Sequence, residues 1–118
     1  MIESLKEGSA ESDVAERVIN FIDVSVSQLL KVDSSIDPEK RRDLLLKDAC
    51  SVLATFNSKT AQIVAAEIKS DFKRSLALMD VIKDKIDKGD IKGATYIAEQ
   101  AGYNRDILLK FICEYNKK

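Results

Sequence analysis

The sequence predicts an all-α fold, on three observations. One proline and four glycines in 118 residues are too few for the turns of a β fold. Apolar residues recur at three- and four-residue spacing along most of the chain. Start and stop signals divide that pattern into helix-length segments. The expectation is one helical domain over residues 1–118, a five-helix bundle-like arrangement with residues 1–11 as a frayed polar lead-in.

The first helix is expected near 13–31, where Asp13 and Glu16 have capping-box spacing. Val14, Val18, Ile19, Phe21, Ile22, Val26, Leu29 and Leu30 fill about half its wheel. Its β-branched residues lower helix propensity, and Val24-Ser25-Val26 alternates like a strand, but the length and 3.6-residue period favour helix.

Asp33 to Pro38 forms the clearest loop, with Asp37 placed to cap a second helix and Pro38 to begin it. That helix, 38–56, is expected to bury Leu45, Leu46, Ala49, Val52, Leu53 and Phe56. Its opening Lys40-Arg41-Arg42 run opposes the helix dipole, which makes Arg41 and Arg42 candidates for contact with an anion, nucleic acid or partner.

The central feature is a stretch without glycine or proline from Ser58 to Lys88. Ala65, Phe72, Met79 and Ile86 fall seven apart, with Ile68, Ser75 and Ile82 interleaved. This is the stripe of a long helix over 58–88. At about 1.5 Å per residue such a helix reaches ~45 Å, while a compact chain of this size has a radius of gyration near ~13–14 Å. It must either break, at Ser70-Asp71, or project and be covered by another chain. The second option predicts a homodimer with Leu76, Met79, Ile86, Leu109 and Ile112 at the contact, because a large uncovered apolar patch is a liability. Phe72 is expected in the core.

Gly89 supplies a left-handed stop and Asp90 caps a fourth helix, 91–101. Gly102 is expected at positive φ, and Asn104 is expected to cap a fifth helix, 104–115. Segment 94–113 resembles a helix-turn-helix: Ala98 is small at the crossing, Gly102 turns, Tyr103 plugs the corner, and Leu108 and Phe111 face back. In such a unit Asn104, Arg105, Asp106 and Lys110 would approach DNA. Against that, Ile107, Leu109 and Ile112 extend the apolar surface of the last helix well beyond what a recognition helix leaves free.

Composition narrows the function. The net charge of −1 gives no global attraction to nucleic acid. Without histidine, the commonest acid–base group and transition-metal ligand is missing, and two separated cysteines make neither a zinc site nor a disulfide framework. No phosphate-binding loop or nucleophile elbow appears. The expectation is therefore a non-enzymatic cytoplasmic protein without cofactor, working by protein–protein contact as a homodimer, adaptor or regulatory module. A small DNA-binding regulator and a helical immunity or inhibitor protein are the alternatives.

Overall fold

A computed structural model describes residues 10–117, with the backbone alone at Tyr103. The lead-in through residue 9 and the plug expected of the Tyr103 side chain lie outside the described residues. The protein is all-helical: α1 (Ala10–Val32), α2 (Pro38–Phe56), α3 (Ser58–Ala65), α4 (Asp71–Asp87), α5 (Ile91–Glu99) and α6 (Arg105–Asn116), with a 3₁₀ turn at Gly102–Asn104. Among the described residues there is no strand, and no helix is long and apolar enough to cross a membrane.

Helix α1 already includes Ala10, so Asp13 lies inside it rather than capping it. Glu11 and Asp13 still suit its first turn, where carboxylates face the positive end of the helix dipole. Asp37 caps α2 as expected, accepting from the backbone N–H groups of Glu39 and Lys40 at 3.1 and 3.2 Å. Asn57 is the only residue between α2 and α3. Its N–H donates back to the Leu53 carbonyl at 2.8 Å, while its side chain accepts from Thr60 N–H at 3.0 Å.

The continuous helix expected over 58–88 does not exist. It breaks across residues 66–70, which makes six α-helices instead of five among the described residues. Ser70 caps α4 by accepting from Lys73 N–H at 3.2 Å. The rest of the break is completed from outside. The buried carboxylate of Asp43, on α2, accepts from Lys69 N–H at 3.0 Å and Ser70 N–H at 2.9 Å. Arg74 donates to the Ile68 carbonyl at 2.8 Å and Arg42 to the Glu67 carbonyl at 3.3 Å. Backbone groups that leave a helix need partners, and here three side chains supply them. Ile68, at 1% exposure, anchors the break in the core.

Helices α2 and α4 form the middle of the fold. α2 packs on α1, α3 and α4, and α4 carries α5 and α6 on its other side. Leu46, Val64, Ile68, Val81, Ile82 and Leu108 are fully buried at this centre. The stripe on α4 is rotated from its expected face: Ser75 and Ile82 are buried and Met79 and Ile86 half-buried, but Phe72 is 72% exposed. Once the chain turns at 66–70, Phe72 no longer continues the line set by Ala65. On α2 the core takes Leu46, Cys50 and Ala54, while Leu45, Ala49 and Leu53 are partly buried and Val52 and Phe56 stay exposed.

The two expected glycine turns are present, with Gly89 at φ +84° and Gly102 at φ +62°. At Gly89 the N–H of Asp90 reaches the Lys85 carbonyl and the N–H of Gly89 reaches Ile86, the Schellman pairing. At Gly102 a Cβ would meet no atom within 4 Å, so a substitution there acts through backbone strain alone. Gly102→Val is expected to cost more than about 1 kcal/mol and Gly102→Ala somewhat less. Equal melting temperatures for wild type and both variants would contradict this.

The two cysteines differ. Cys50 is buried, and its thiol donates to the Ala61 carbonyl at 3.2 Å; Cys113 is exposed. Burial pushes the Cys50 thiol up to about 12. One thiol per chain should therefore react quickly with a disulfide reagent in the native protein, and two in denaturant. Because the folded pKa is raised, the unfolded chain ionises first as pH climbs above about 9. The contribution of Cys50 to stability is complete below that pH and declines between about 9 and 12. Cys50→Ala should flatten that decline.

Candidate protein-interaction surface

The least covered apolar surface lies along α1 and α2. Helix α1 carries apolar residues around more of its circumference than its packing on α2 and α3 covers. Ala15, Ile22 and Val26 are buried, while Phe21 is 73% exposed and Val32 86%. Helix α2 has two apolar stripes. The Leu46, Cys50 and Ala54 stripe enters the core, and the other, Leu45, Ala49, Val52 and Phe56, runs at i, i+4, i+7, i+11 spacing along the side next to α1. Phe56 is 79% exposed and Val52 60%.

Between the two helices is a groove of about 510 Å³, with Val18, Phe21, Ile22, Leu29 and Val32 on one wall and Leu45 and Ala49 on the other. Its polar lining is limited to Ser25 and Gln28. At one end Asn57 donates to Glu11 at 3.3 Å, tying the start of α1 to the end of α2. The helix pair is also fixed by an ion-pair junction. Arg42 Nε donates to Asp23 at 2.6 Å, and another guanidinium nitrogen donates to the Glu67 carboxylate at 3.2 Å. The bond to Asp23, followed by that to Glu67, raises the pKa of Arg42 above its ordinary value despite partial burial. The groove is thus held by α1, α2 and the 66–70 break together.

The candidate residues read from the sequence do not form one site. Leu76, Met79, Ile86 and Leu109 are partly buried, and all but Leu76 pack against the core of a single chain. Ile112, expected at a dimer contact, is only 7% exposed and belongs to that core, because α6 lies on α4 with Leu108 and Ile112 inward. Arg42 is committed to Asp23 and Glu67 and so is not a free anion contact. Arg41 is exposed and lines a separate concavity of about 260 Å³ with Lys40, Lys73, Asp37, Ile36 and Leu44.

At the α5–α6 corner, Asn104 is neither a cap nor a surface residue. It is 2% exposed, makes no side-chain cap bond, and donates from Nδ2 to the Asp71 carbonyl at 3.2 Å. Its Oδ1 is buried without a partner. The 3₁₀ turn places this side chain against the start of α4 rather than at the front of α6. Arg105 and Lys110 are exposed, and Arg105 pairs with Asp106 at 3.3 Å.

On α2 this surface was hidden in the sequence because Val52 and Phe56 were expected in the core. The available signal was surplus: apolar residues fill about half the wheel of α1, more than one packed helix face needs. Compared with known proteins, the chain matches no family model, and no curated protein or solved structure resembles it at a significant level.

Proposed function

We propose that this protein works by protein–protein contact, with the α1–α2 face as its binding surface and no chemistry of its own. The observation that carries this is the exposure of large apolar residues on both helices, Phe21 and Val32 on α1 and Val52 and Phe56 on α2, together with the apolar groove between two helices locked by Arg42. Soluble monomers seldom leave contiguous apolar patches above a few hundred Å² uncovered. A groove with two polar side chains in its wall can bury an amphipathic helix, the common mode of helix-in-groove recognition.

Radical footprinting tests the reading. Phe21 and Phe56 should be labelled in dilute purified protein and protected in an extract of the native cell. Phe72, equally exposed on α4, should be labelled in both. Equal labelling of all three in both settings would overturn it.

Reading of DNA by the α5–α6 corner has less support. Of its candidate contacts Asn104 is buried, and the exposed Arg105 and Lys110 stand beside the exposed Asp106 and Glu114. Retention of duplex DNA that falls steeply with salt would revive it.

A further inference from the structure

We infer that the occupant of the α1–α2 face is a second copy of this chain, laid so that the two α1 helices pack antiparallel about a two-fold axis near Phe21 and Ser25; this rests on the interaction reading above. Three features support it.

The first is register. Val14, Phe21 and Gln28 alternate with Val18, Ser25 and Val32 along the seam, the 3–4 spacing of a helix pair. Laid antiparallel about that axis, every member of one set meets a member of the other. Val14 faces Val32, Gln28 faces Val18, and the largest side chain, Phe21, faces the small Ser25. A flat face without this alternation would set Phe21 against itself.

Area is the second. Phe21, Val24, Val32, Val52 and Phe56 are each more than half exposed, with Val14 and Leu29 close behind. At ~150–250 Å² for a whole aromatic side chain, the set presents on the order of 700 Å². A stable interface takes about 800 Å² from each partner. The monomer is also flat. Its radius of gyration is 15.3 Å and its thinnest extent 22 Å, whereas a compact chain of this length gives ~13–14 Å. One chain does not wrap α1, and two chains joined along it would.

Charge is the third. Antiparallel pairing opposes the two helix dipoles and brings the acidic first turns of α1, with Glu11 and Asp13, to the Lys31 end of the other copy. Arg17 keeps its own Asp13 at helical pair distance, four residues away.

Sedimentation equilibrium of the full chain from low to high micromolar concentration tests the pairing. Wild type should have the mass of two chains. Phe21→Asp should weaken association by at least about 30-fold, the effect of removing an interfacial anchor, with helix content unchanged because Phe21 is already exposed. Phe72→Asp should associate like wild type. In a Cys113→Ser background, Asp13→Cys copies mixed with Lys31→Cys copies should be joined by a short bismaleimide, and Asp13→Cys copies alone should not.

A wild-type monomer at high micromolar concentration overturns the inference. So does equal loss from Phe21→Asp and Phe72→Asp, or cross-linking of Asp13→Cys to itself. A monomer whose Phe21 and Phe56 are protected only in the cell extract removes the second copy and leaves the interaction surface, with a different protein as occupant. A monomer whose Phe21 is protected even when dilute and pure removes both, because the face is then not open to any partner.

Discussion

Replacing Asp43 by alanine is expected to destabilise the protein by about 3 kcal/mol, among the largest losses from any single polar side chain in the fold. Asp43 is 5% exposed, and its two carboxylate oxygens each accept a backbone N–H, from Lys69 and Ser70, across 26 and 27 residues of sequence. Hydrogen bonds to a charged acceptor contribute about 1.5–3 kcal/mol each, and stranded buried donors cost about 1–3 kcal/mol more where water cannot reach them. These bonds also hold the break at 66–70, on which the direction of α4 depends. Asp43→Asn keeps the shape but offers one acceptor oxygen, so it should fall between alanine and wild type. Urea unfolding with an unchanged m-value measures both. A loss below about 1 kcal/mol for alanine would mean that water or Ser70 itself satisfies the break.

Much of the architecture was legible because it is written in local chemistry. Asp37-Pro38, Gly89-Asp90 and Gly102 each act within a few residues, and each marks the boundary it was expected to mark. The break at Ser70-Asp71 was visible locally as a cap. The side chains that make it the preferred state, Asp43, Arg42 and Arg74, act across the fold or through a turn that the stripe reading did not contain. Without them, an uninterrupted heptad pattern over 58–88 is the simpler reading. The same limit explains Asn104. Its spacing suits a cap, but its side chain finds the Asp71 carbonyl, 33 residues away.

The candidate surface was less legible than the fold. Periodicity says which residues are apolar on a helix face but not which of two apolar faces the core takes. On α2 the stripes through Leu46 and Leu45 are nearly equal in the sequence. The core took the one with Cys50 and Ala54, small enough for α3 and α4 to approach closely, and left Val52 and Phe56 outside. On α6 the same ambiguity ran the other way, and Ile112 went inward.

A pair of substitutions on α4 separates the observed register from the uninterrupted stripe. Ile82 is fully buried among the residues that join α4 to the rest of the core, and Phe72 is 72% exposed near the start of the same helix. Ile82→Ala should cost about 2–5 kcal/mol, through lost burial and the cavity left in a close-packed centre. Phe72→Ala, although it removes a larger side chain, should cost less than about 1 kcal/mol, because most of the ring is already in water. A continuous helix over 58–88 with its seam covered by another chain predicts comparable, large losses at both positions, since both lie on that seam. Chemical denaturation of the two variants at one protein concentration gives the comparison directly. A loss above about 2 kcal/mol at Phe72 would restore the long helix and move the proposed contact surface from α1 to α4.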